Sequence, residues 1–117
     1  MSAILLSSDL ACSSKVSGAA SQAGFSLAVA MSPAALLDKA AGCRLVLLDL
    51  NSPGVDPGEL VPKLRALQPP PAVIVAFGPH VHELKLNAAR DAECDEVLTR
   101  GQFHSQQAEL LRRYLTT

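Results

Sequence analysis

Five short apolar runs, each followed by a longer segment with helical spacing, constrain this chain more than any other feature. The runs are Ala3–Leu6, "FSLAVA" (25–30), "RLVLLDL" (44–50), "AVIVAF" (72–77) and "DEVLT" (95–99). Each has strand length and is bounded by turn residues. The third and fourth are apolar on both faces, which is the pattern of central parallel strands covered by helices on both sides. Between them, 13–23 places Val16, Ala19, Ala20 and Ala23 on one face, with Ser13 or Ser14 as N-cap and Gly24 just past the end. In 32–41, Ser32 is the expected N-cap, Pro33 suits the first helical position and Gly42 closes the helix. In 80–92, Val81, Leu84, Leu86, Ala88 and Ala89 are expected to face the sheet, as are Leu110, Leu111, Tyr114 and Leu115 in 103–115.

The third helical segment conflicts with itself. Asp56-Pro57-Gly58-Glu59 has the form of a capping box. Pro62 would then fall in the second turn at a cost of about 3 kcal/mol. The expectation is therefore a start near Leu60, or a distorted opening turn. Five βα units in a row predict a parallel α/β sheet with right-handed crossovers. Residues 1–117 are expected to form a single domain, with no repeat and no second domain.

Composition narrows the function classes. Apolar residues make up 49% and charged residues 18%, which suits a globular core. The net charge is −1, with no block of like charges. That removes the electrostatic motive for nucleic acid or an anionic membrane as partner. Aromatics are limited to Phe25, Phe77, Phe103 and Tyr114, too few for a base-stacking surface. No apolar run approaches the ~20 residues that span a bilayer, and the N-terminus lacks a signal peptide's basic region. Cys12, Cys43 and Cys94 are scattered and unpaired by spacing, as expected of buried thiols in a cytoplasmic protein.

In an open α/β sheet the functional edge lies beyond the carboxyl ends of the strands. The sequence places Ser7-Ser8-Asp9, Asp49, Ala76-Phe77-Gly78 and Thr99-Arg100-Gly101 there. The most specific stretch is "LLDLNSPG", in which an apolar run ends in Asp49 and Pro53 follows four residues later. With these residues the whole chain resembles the receiver domains of two-component response regulators. The resemblance implies the flavodoxin-like fold with strand order 2-1-3-4-5. It implies Asp49 as the phosphoacceptor position and Asn51 as the place of a Mg²⁺-ligating carbonyl. The chain ends after its fifth helix, so a stand-alone receiver without an output domain is expected.

The same resemblance implies an acidic pair after the first strand, a Thr or Ser at the end of the fourth, and a Lys followed by a cis Pro at the end of the fifth. This chain has Ser7 and Ser8, Phe77 (or Ala76 in the alternative register), Arg100 and Gly101 at those places. It also has Glu93 where receivers usually carry Gly. Asp9 reaches the metal position only with a one-residue shift, giving at best a weak Mg²⁺ site of Asp9 and Asp49. Phe77 has no hydroxyl to donate to a phosphoryl group. Arg100 is a planar, bidentate cation, not equivalent to Lys. Asp49 is therefore expected to be held by Arg100 in a fixed ion pair.

The expected function is protein–protein interaction in signalling, without phosphorylation at Asp49, without enzymatic activity and without a cofactor. The alternative is a working receiver that accepts phosphate on Asp49 from a histidine kinase, with Mg²⁺. The expected partner is another signalling protein, a kinase or a regulator. A homodimer would use the face of the fourth helix, fifth strand and fifth helix. His80 and His82 form an HxH pair, but two ligands do not make a metal site, and His104 and Cys94 have no required proximity to them. A Ser8/His80/Asp49 arrangement lacks the strained turn of a hydrolase nucleophile.

Overall fold

The protein is described by a computed structural model that covers residues 3–116. Five strands alternate with five helices. They are β1 (Ala3–Leu6), α1 (Leu10–Gln22), β2 (Leu27–Ala30), α2 (Pro33–Lys39), β3 (Leu45–Asp49), α3 (Pro57–Arg65), β4 (Val73–Gly78), α4 (Glu83–Asp91), β5 (Glu96–Thr99) and α5 (Arg100–Leu115). The strands form one parallel sheet, as the sequence pattern predicts, in the order β2-β1-β3-β4-β5 that the resemblance implies.

Strand alternation divides the core into two layers. Ala3, Leu5, Leu45, Leu47, Val75 and Phe77 pack with α1 and α5 through Val16, Ala20, Phe103, Leu110 and Leu111. Ile4, Leu6, Val46, Leu48, Ile74 and Ala76 pack with α2, α3 and α4 through Leu36, Leu60, Leu64, Leu86 and Ala89. Both layers are mostly aliphatic, with Phe77 and Phe103 in the first, and both faces of β1 and β3 are dry. No helix among the described residues is long and apolar enough to cross a membrane.

Four helix expectations need correction. α1 starts at Leu10, because Asp9 is the N-cap: its carboxylate accepts from the Ala11 and Cys12 amides. The Ser13 hydroxyl is spent inside the helix, donating to the Asp9 carbonyl at 2.9 Å. α3 starts at Pro57 and keeps Pro62 inside it, with the proline ring exposed. Asp56 caps α3 by accepting from the Gly58 amide, but Glu59 pairs forward with Lys63, so no reciprocal box forms. α4 begins only at Glu83, which leaves Val81 70% and Leu84 87% exposed instead of facing the sheet. α5 begins immediately after β5, where Thr99 and Gln102 form the reciprocal capping box that the sequence reading placed elsewhere.

Candidate functional site at the carboxyl edge of the sheet

The central strands run in register, with Leu6 beside Leu48 and Asp49 beside Phe77. One step past β1, Ser7 therefore meets Asp49. Its hydroxyl donates to Asp49 Oδ2 at 2.8 Å, and Ser7 Oγ in turn accepts from the Asp9 amide at 3.1 Å. Asp49 Oδ1 accepts from the Asn51 amide at 3.0 Å. Asp49 is only 1% exposed, so its carboxylate lies within the protein with each oxygen hydrogen-bonded. Ser8 contributes its amide, which donates to the buried Ser52 hydroxyl at 3.0 Å and ties the loop after β1 to the loop after β3. Pro53 and Gly54 turn that second loop. The Val55 amide reaches the Ser52 carbonyl at 3.4 Å, and Gly54 has φ 77°, the arrangement of a type II turn.

The expected pair of Asp49 with Arg100 does not form. Arg100 instead pairs with Asp9 Oδ2. The reason lies in where the two helices start. Asp9 caps α1 and Arg100 opens α5, helices that pack side by side on one face of the sheet. Both side chains stay partly in water, at 31% and 40% exposure. Reaching Asp49 would mean burying the guanidinium beside a fully buried carboxylate, with a larger desolvation cost. The Asp9 carboxyl is held below its ordinary value of 3.8, first by the Cys12 amide and then by the Arg100 guanidinium.

Phe77 turns inward. It is fully buried and stacks on Phe103 of α5, with ring centroids 3.9 Å apart and planes within 3°. Cys12 lies against the same site. Burial pushes its thiol pKa up, with the Asp49 charge as the next cause. Sequence reasoning did not connect Cys12 or Ser52 with Asp49. The helical spacing of Cys12, four residues before Val16, was the available signal once Asp9 is taken as the cap. Lys85 also approaches from α4, donating to the Leu50 carbonyl at 2.9 Å.

The residues on hand do not fit a magnesium site. Mg²⁺ demands a near-octahedral set of oxygen ligands. Here all four oxygens of Asp9 and Asp49 have partners, and the nearest replacement for a second acid is the Ser7 hydroxyl, whose proton is directed at Asp49. Among the described residues no group of three or more His, Cys, Asp or Glu is placed to hold a metal ion. His80 and His82 are both exposed, and His82 makes no side-chain cap bond to α4. The Ser8, His80 and Asp49 arrangement is also not assembled, since Ser7 is the serine on Asp49.

The architecture defines a class: flavodoxin-like α/β proteins whose working edge lies at the carboxyl ends of the strands. Within that class, the fold is the one found in response-regulator receiver domains. The receiver domain of a sensor histidine kinase from Pseudomonas aeruginosa, with magnesium coordinated in its active-site cleft, superposes with a TM-score of 0.79 at 13% identity, covering 99% of this chain and 98% of that one. A response regulator from Hahella chejuensis gives 0.81 at 15% identity, covering 99% and 96%. A chemotaxis response regulator of Vibrio cholerae gives 0.78 at 18%, covering 97% and 98%. The sequence itself matches no protein-family model and no curated protein. At such identities the likeness is one of fold.

Proposed function

We propose that the chain is a receiver-like signalling domain that works by binding another protein, without phosphorylation at Asp49 and without catalysis. One observation carries this reading: the carboxylate at the phosphoacceptor position is buried, and both its oxygens are hydrogen-bonded within the protein. Phosphoryl transfer is mostly positioning and charge neutralisation around the moving oxygens. Phe77 offers no donor for that purpose, and Arg100 is engaged by Asp9.

The surface supports binding. Among the described residues, the large exposed apolar side chains are Leu10, Met31, Val81 and Leu84. Leu10 opens α1, Met31 directly follows β2, and Val81 and Leu84 flank the start of α4, so all four belong to the carboxyl edge. A structurally similar receiver, that of yeast Ssk1, was crystallised with the histidine phosphotransfer protein Ypd1, at 15% identity and a TM-score of 0.74, covering 99% of this chain and 92% of that one. A signalling protein of that kind is the partner proposed here.

The test is an amide NMR titration with beryllofluoride and Mg²⁺, comparing wild type with Asp49→Asn. The expected result is no response around Asp49. Shifts centred on Ser7, Asp49 and Arg100 that the variant lacks would replace this reading with that of a phosphorylatable receiver.

A further inference from the structure

We infer that Arg100 and Ser7 substitute for a divalent cation at the carboxyl edge: a resident guanidinium and a hydroxyl hold the strand ends together, and they exclude Mg²⁺ from the site. The inference rests on the functional reading above and deepens it, since it names the residues that make the edge independent of metal.

The argument is one of charge and valence. A divalent ion needs free carboxylate oxygens. Asp9 has one oxygen filled by the two α1 amides and the other neutralised by the Arg100 guanidinium, which stands where an ion would approach. Asp49 already has a hydrogen bond on each oxygen, from Ser7 and from Asn51, and is 1% exposed, so an ion could use its remaining lone pairs only by shedding its water shell inside the protein. An incoming ion would have to displace Arg100 and turn the Ser7 hydroxyl, breaking bonds that also orient the Asp9 amide. The links span the strands: Ser7 joins the end of β1 to the end of β3, and Arg100 joins the start of α5, after β5, to the loop after β1. The edge is thus closed without a bound ion. The pair is also one guanidinium against two carboxylates, so removing Arg100 leaves local negative charge that a cation can neutralise.

Manganese is the probe, since it reports binding by paramagnetic broadening. In wild type, sub-millimolar Mn²⁺ is expected to broaden no amide selectively at Ser8, Asn51 or Gly101. Arg100→Ala is expected to introduce selective broadening at Asp9 and its neighbours. The double variant Ser7→Asp with Arg100→Ala is expected to broaden the site at lower Mn²⁺ and to gain several degrees in Tm with millimolar Mg²⁺, reversibly with a chelator. Selective broadening in wild type overturns the inference, and so does a folded Arg100→Ala protein that behaves as wild type. Arg100 is partly exposed, so its removal keeps the test usable if the double variant fails to fold. A Mn²⁺ response in wild type without a beryllofluoride response removes only this inference. A beryllofluoride response removes the functional reading itself.

Discussion

Ser7 is 1% exposed and holds two groups at once, donating to Asp49 and accepting from the Asp9 amide. Ser7→Ala removes both bonds and strands a carboxylate oxygen inside the protein, with an expected loss of about 1–3 kcal/mol in urea unfolding. Asp9 gives a pH dependence whose sign is fixed by its lowered pKa. Its contribution is present above the ordinary value of 3.8 and is lost as the pH falls through the lower folded value. The stability advantage of wild type over Asp9→Asn should therefore be constant from neutrality down towards that value and shrink below it in a series of unfolding curves. At this scale the sequence was only partly legible. Asp49 was visible because a carboxylate ending an apolar run is unusual. Its partner was not, because pairing depended on whether Asp9 or Ser13 capped α1, and both are good caps. The position of Phe77 was legible, but its orientation was not, since β4 is apolar on both faces and shows no alternation to read.

Two elements carry local costs that substitution can relieve. Pro62 sits inside α3 with its ring exposed and leaves the helix one backbone donor short. Pro62→Ala should raise stability by about 1–3 kcal/mol, measured as a higher midpoint at unchanged slope in denaturant. The sequence made the conflict visible, and of its two resolutions the start near Leu60 was the wrong one. Asp56 and Pro57 fix the start of α3, and Leu60, Val61 and Leu64 are buried, which outweighs one lost bond. Between α4 and β5, Glu93 has φ 65°, the left-handed conformation that favours glycine, while its side chain is exposed. This is the position where receivers usually carry Gly. Glu93→Gly should stabilise by about 1 kcal/mol in thermal or chemical unfolding, because the backbone keeps its shape without the Cβ strain.

Across the whole molecule, the parallel sheet with helices on both faces followed from the five apolar runs, whose spacing leaves room for one crossover helix each, whereas the strand order came only from the resemblance to receiver domains. The exposed apolar side chains did not follow. Periodicity assigned Val81 and Leu84 to the core, but α4 starts only at Glu83 and turns both outward. Leu10→Asp combined with Leu84→Asp should change unfolding free energy by less than about 0.5 kcal/mol per site, as for other surface changes. The same protein should lose binding to the signalling partner proposed above in a direct titration. If stability falls sharply instead, these side chains serve the fold and not an interface.

The Phe77–Phe103 stack has a consequence for how such a chain can change over evolutionary time. Two parallel rings from β4 and α5 fill one volume together, so neither can shrink alone without leaving a hole. Placing a hydroxyl-bearing Thr or Ser at residue 77 by itself would open a cavity beside Phe103 and forfeit about 3–5 kcal/mol, comparable to the whole margin of many small domains. A lineage that acquires this interlock has passed through a one-way gate. The route back needs coordinated replacements in a strand and a helix, and each single step on it is selected against by the fold before any gain in function can be felt.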